Sequence, residues 1–216
     1  MLRTAVDNPT DDSEWQEFLR HRAFGQVVAI GAGRPRPIIT PTHFLYDRSA
    51  GVEFHVHRAN PLLQAIAEQP TVTITVLDAD CFIPSTWNCE PGDDPLWSAP
   101  TSYYAVAHVT GEAAVMSEPQ LADLLNRQVQ RFQPAVEVGS VEVGRTPFGR
   151  ALAAIVGIRV AVTAVEAKFK FGGNRTVGHR LSIARRLSER GGSGDLAALS
   201  HLLRRAHLEE SAPANR

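Results

Sequence analysis

The feature that most constrains this chain is a series of short alternating segments with too little helix between them to build a parallel sheet. Gly51–His57 sets Val52, Phe54 and Val56 on one face and Glu53, His55 and His57 on the other, the period of a half-buried strand. Thr71–Leu77 alternates threonine with valine or isoleucine in the same way. Gln26–Ile30, Pro37–Tyr46, one long strand or a pair over Tyr103–Met116, and a long strand over Val156–Phe171 bring the count to five or six. Parallel strands need a crossover of a dozen or more residues at each step. Here the connections include GAGRPRP, DRSAG and the short helix PLLQAIAEQ, with Asn60 as N-cap and Pro61 in its first turn. The expected fold is mainly β (α+β): an antiparallel barrel with peripheral helices.

The remaining segments fit that frame. Ser13 is placed to cap the helix DSEWQEFLRHR, and Glu118–Phe132 is amphipathic, turning Leu121, Leu124, Leu125, Val129 and Phe132 inward. PFGRALAAI predicts a short helix, and two basic helices flank GGSG near the end. The stretch from about 84 to 101 is a long loop rich in Pro, Asp, Gly and Trp, a length that in a compact domain usually serves function. A chain of 216 residues holds one domain with an appendage, drawn here as a cofactor-binding barrel over 1–190 and a C-terminal helix and tail over 191–216.

Composition excludes several classes. No apolar run reaches the roughly 18 residues that span a bilayer, so no membrane partner is expected. The polar start MLRTAVDNPTDDSEW has no leader pattern, which gives the cytoplasm as the expected address. Cys81 and Cys89 match no zinc spacing and form no disulfide framework. The formal net charge is only -1, but between Ala167 and Ala206 nine basic residues face only Glu189 and Asp195. Such a segment answers a phosphate, an acidic face of its own dimer, or nucleic acid. No DNA-reading motif accompanies it, so nucleic acid ranks last.

Three stretches could carry chemistry. In FHVHRANP, His55 and His57 share a strand face as a polar surface, a metal or haem ligand, or a general acid/base, and Arg58 precedes a helix N-terminus suited to an anion. In IPSTWN and PTSYYAVAH, Ser85, Thr86, Thr101 and Ser102 offer hydroxyls and Trp87 a stacking surface, while Tyr103 and Tyr104 point to opposite faces. In KFKFGGNR, Lys168 and Lys170 lie side by side, which needs either water or an anion to answer them. No GxGxxG, P-loop, GxSxG or HExxH pattern occurs.

In order, FHVHRANP, IPSTW, APTSYYAVAH and IVGIRVAVTAVEAKFKFGGNR resemble the PaiB family of FMN-binding negative transcriptional regulators, within the flavin split-barrel group, from about Phe18 to Arg190. The resemblance implies a six-stranded antiparallel split barrel that forms a homodimer with the cofactor between subunits. It places Arg58 and Asn60 near a cofactor phosphate and Ser85, Trp87 and Ser102 beside the cofactor, with Lys168, Lys170 and Arg175 adding positive charge. Leu63, His57, Asp80 and the triplet Thr101-Ser102-Tyr103 depart from the family's usual residues and reshape the cofactor wall. The family also includes haem-dependent piperazate synthases, which close N5-hydroxy-ornithine to piperazate by forming an N–N bond. That implies haem b as the alternative to FMN, with His55 as the iron ligand.

The expected functions rank as an FMN-binding protein of redox character acting on a small molecule, then a haem cyclase, then a transcriptional regulator. His55, His57 and Tyr103 are the acid/base candidates, being the ionisable groups expected nearest the cofactor.

Overall fold

The computed structural model describes residues 1–90, 92–135, 138–144 and 152–211, the last four by backbone only. Helix α1 (Asp12–His21) leads into strands β1 (Phe24–Ala29), β2 (Ile38–Asp47) and β3 (Gly51–His57). Helix α2 (Leu62–Glu68) then joins β3 to β4 (Thr71–Ile83). The turn α3 (Ser85–Asn88), β5 (Thr101–Val115), α4 (Glu118–Phe132), β6 (Ile155–Lys170), α5 (Val177–Arg190) and α6 (Asp195–Ser211) follow. The six strands close into an antiparallel barrel in the order β1-β2-β3-β6-β5-β4. The stretch expected to be a plain loop contains α3 and a 3-10 turn at Pro95–Trp97. The short helix expected at PFGRALAAI lies largely outside the described residues.

The chain forms two compact units, and β4, β5 and β6 are long enough to contribute to both. The barrel unit comprises Ser13–Val76 and Ala107–Glu166. Register is set by hydrophobic parity: Phe44 pairs with Phe54 and Val52 with Val160, and all four are buried. Each such side chain contributes roughly 1.5–3 kcal/mol by leaving water. Outside the barrel, the threonines of β4 reach β5: Thr71 donates to Glu112 at 2.8 Å and Thr73 meets Thr110 at 3.1 Å.

The face of β3 read as polar is covered at Glu53 and partly at His55, and only His57 at its end is exposed. Helix α4 packs on it, and Glu53, 2% exposed, takes Arg127 at 2.6 Å and Arg159 at 2.7 Å. A buried carboxylate is tolerable only when paired in this way. Helix α4 is fixed at its start by a capping box between Ser117 and Gln120.

The second unit comprises Met1–Asp12, Leu77–Val106 and the chain from Ala167 onward. Its core includes Ile83, Tyr103, Phe169, Phe171, Ile183, Leu187 and Leu202. Within β4 the inward positions shift from Val72, Ile74 and Val76 to Ala79, Cys81 and Ile83. The shift occurs at Ala79, whose φ of 57° is positive, the one such non-glycine among the described residues. A single left-handed residue of this kind behaves as a bulge and re-aims the rest of the strand. Gly194 (φ 82°) packs so closely on the Asp80 carbonyl that a Cβ there would strike the oxygen.

Candidate cofactor site

The residues singled out from sequence fall into two groups. In the barrel unit, β3 and the turn after it carry His55, His57, Arg58 and Asn60. His55 is half-buried, and its Nδ1 lies 2.9 Å from Gln128 Oε1. Burial lowers its pKa, with the Gln128 bond opposing, so the ring is neutral at pH 7. Because an amide oxygen only accepts, Nδ1 donates to Gln128 Oε1 and Nε2 of the neutral ring carries the lone pair. Nothing in the local pattern around Gln128 singles it out, because its partner lies 73 residues away in the chain. His57 is exposed and its Nδ1 accepts the Ala59 N–H at 3.1 Å. Arg58 donates from Nε to the Ala153 carbonyl at 2.9 Å. Asn60 accepts the Leu62 N–H at 2.9 Å, the local capping role expected of it.

In the second unit, α5 is a clamp on the loop after β4. Arg190 lies 4.7 Å from the Trp87 ring centroid and donates to the Phe82 carbonyl at 2.9 Å. Its Nε and Nη2 bind both oxygens of Asp195, at 2.7 and 2.6 Å, and Asp195 also takes the Gly192 N–H at 2.8 Å. Arg186 donates to the Thr86 carbonyl at 2.9 Å, and Arg175 pairs with Glu90. Much of the basic segment is thus answered by its own chain. Ser85 opens α3, and its carbonyl accepts the Cys89 N–H at 2.9 Å.

The lysine pair is answered unequally. Lys168 is buried, 3.6 Å from Asp7 and donating to the Leu2 carbonyl at 3.1 Å. Lys170 donates to Thr101 Oγ1 at 2.9 Å and has no carboxylate partner among the described residues. Both ammonium groups lie 5.8 Å from the Tyr104 ring centroid.

Among the described residues of this unit, a larger and a smaller pocket gather residues singled out from sequence. The larger, about 680 Å³, is lined by Leu77, Phe82, Ser102, Tyr103, Tyr104 and Arg190, with Asp80, Cys81, Gly192, Ser193 and Asp195. The smaller, about 280 Å³, holds Lys170, Arg175, Thr101, Tyr103, Asn88 and Asn174. Tyr103 borders both. Its hydroxyl is buried with no hydrogen-bond partner among the described residues, and burial pushes its pKa up to about 12. Burial also drives the Cys81 thiol up to about 11, which removes it as a nucleophile at neutral pH. Tyr103 and Ser102 therefore meet at one pocket, as do Lys170 and Arg175 at the other, whereas Lys168 is structural. Arg190 and Asp195 were missed from sequence, although an arginine and an aspartate bracketing GGSG were a usable cue.

A profile of the family described as "Putative FMN-binding domain" matches residues 1–164. The chain belongs to this FMN-binding family. The resemblance to PaiB read from the sequence is thereby borne out. Protease synthase and sporulation protein PAI 2 of Bacillus subtilis (strain 168) is 22% identical over 169 residues, 77% of this chain and 79% of that protein. Among solved structures, an FAD and haem binding protein from Mycobacterium smegmatis is similar at a TM-score of 0.59 and 17% identity, covering 81% of this chain and 78% of that one. A flavocytochrome from Azotobacter vinelandii matches at 0.56 and 18%, over 76% and 69% of the two chains. The likeness to these structures is one of fold, the split barrel. Family membership brings flavin to this chain as the first ligand to test. Among the described residues, no helix is long and apolar enough to cross a membrane.

Proposed function

We propose that the chain binds FMN, with the ring system in the larger pocket of the second unit, and acts as a flavin-dependent redox protein on a small molecule. The observation that carries this reading is the pocket itself. At about 680 Å³ it is within the range of cofactor sites, its walls are largely apolar and aromatic, and Ser102, Ser193 and Arg190 supply polar edges. Three N–H groups of Arg190 are already engaged, and its fork has donors left over for an anionic tail. When bound, flavin supplies one- or two-electron redox chemistry; the protein's part is to orient the ring and keep water from it. A homodimer belongs to the same reading. Leu77 and Phe82, each more than half exposed, stand at the pocket rim, where a second copy would cover them.

A haem reading is favoured by one feature, the neutral His55 ring braced by Gln128, since a ligating histidine commonly has its second nitrogen held in this way. Direct DNA contact ranks below both, because Arg175 and Arg190 are committed to Glu90 and Asp195.

The test is the absorption spectrum of the purified chain, followed by titration of the apo form with FMN and with haemin. FMN binding that weakens at least tenfold in Tyr104→Ala and leaves His55→Ala unaffected supports the flavin reading. A Soret band lost in His55→Ala transfers the assignment to haem. Failure to bind either ligand overturns both. Sedimentation of the full chain reads the dimer.

A further inference from the structure

We propose that the smaller pocket of the second unit binds the carboxylate of a small organic acid, held by Lys170, the Tyr103 hydroxyl and Thr101. The pocket is formed by the N-terminal segment, the start of β5 and the turn after β6, and Thr4, Val6 and Asp7 complete its wall. Three features point to an anionic oxygen ligand. First, Tyr103 is 1% exposed, yet its hydroxyl has no hydrogen-bond partner among the described residues. A buried hydroxyl left unmet is costly, and a ligand oxygen would satisfy it. The phenol stays protonated far above neutral pH, so it acts as a donor.

Second, the positions around that hydroxyl are kept small. Gly172 has a φ of 68°, and a Cβ there would collide with the Tyr103 oxygen; a Cβ on Gly173 would strike the Val6 carbonyl. The two glycines of KFKFGGNR thus let the phenol and the N-terminal segment close over the turn.

Third, the charges select the ligand. Arg175 is paired with Glu90 and Lys168 with Asp7, while Lys170, bonded to the Thr101 hydroxyl and facing the Tyr104 ring, has no carboxylate partner among the described residues. The pocket therefore carries one uncompensated positive charge, which a monoanionic carboxylate neutralises and a phosphate dianion overshoots. Asn88 spends its Nδ2 on the Ala99 carbonyl and fixes the wall. A volume of about 280 Å³ lies below the range of drug-sized sites, so the acid is a small one. The site is separate from the larger pocket except for Tyr103, which lines both.

The test is an NMR titration of the full, isotope-labelled chain with acetate at constant ionic strength, following the Gly172 and Gly173 amides, with inorganic phosphate and chloride for comparison. The measurement needs no bound flavin, so a colourless protein leaves it intact. Acetate is expected to give saturable shifts and to bind more tightly than either comparison anion. Tyr103→Phe and Lys170→Met should each weaken acetate roughly tenfold or more, as expected for a lost hydrogen bond to a charged group. Thr101→Val serves where either variant is unfolded by circular dichroism, and Arg48→Ala, in the barrel unit, should leave acetate binding unchanged. Absence of saturation, phosphate binding as tight as acetate, or unchanged affinity in folded variants overturns the assignment.

Discussion

The Arg190–Asp195 pair gives the most exacting test of the second unit. Asp195 is 1% exposed, whereas the Arg190 side chain is 33% exposed, so only one partner is fully removed from water. Asp195→Asn keeps the shape and leaves an oxygen for the Gly192 N–H, but turns a two-pronged ionic contact into a single neutral one. Breaking a fully buried pair costs about 3–5 kcal/mol; with Arg190 free to recover part of its hydration, about 2–4 kcal/mol is expected here. At a urea slope near 2 kcal/mol per molar, the unfolding midpoint should fall by about 1–2 M. Tryptophan fluorescence is the assay, since Trp87 lies under Arg190.

The control is Glu189→Gln, which breaks a pair with Arg185 at 4.0 Å where both side chains are well exposed, and which should cost less than about 0.5 kcal/mol. pH supplies the second arm. Arg190 holds the Asp195 carboxyl below its ordinary value, against an opposing cost of burial. The unfolded chain therefore binds more protons as pH falls, and the stabilisation present above about 3.8 is lost below it. The gap between wild type and Asp195→Asn should close in that acid range. An Asp195→Asn midpoint no lower than that of Glu189→Gln, or a gap unchanged at low pH, would refute the account.

Further outcomes follow from other contacts. Gly172→Ala places a methyl against the Tyr103 oxygen and forces a left-handed alanine, which should cost about 1–3 kcal/mol in urea unfolding. Burial lowers the folded-state pKa of both His55 and His179, so the unfolded chain takes up protons first and stability should fall as pH drops below about 6.5. His179→Gln should flatten that slope, as read by urea midpoints at pH 5.5 and 7.5. Glu53→Gln leaves Arg127 and Arg159 sharing a neutral group and should cost about 2–4 kcal/mol, a loss measurable by the same titration.

How far the sequence could be read depended on how local each cause was. The barrel was legible because strand parity is a local signal: Val52, Phe54 and Val56 declare an inward face wherever the strand is placed. What covers the opposite face was not, because the burial of Glu53 and the bracing of His55 depend on α4 packing over β3, with Gln128 and Arg127 arriving 73 and 74 residues later in the chain. The same limit applied to the basic C-terminal segment. Its excess charge was visible as a sum, but a sum does not say which charges are spent. In the fold, Arg190 and Arg175 are consumed by Asp195 and Glu90 and Lys168 by Asp7, whereas Lys170, beside an unmet phenol, has no carboxylate partner among the described residues. At the proposed anion site, binding therefore turns less on how many cations the motif KFKFGGNR brings than on which of them the described residues leave without an anion. That is why Lys168 and Lys170, indistinguishable as sequence, should respond differently to substitution: Lys168→Met should lower stability, and Lys170→Met should lower anion affinity.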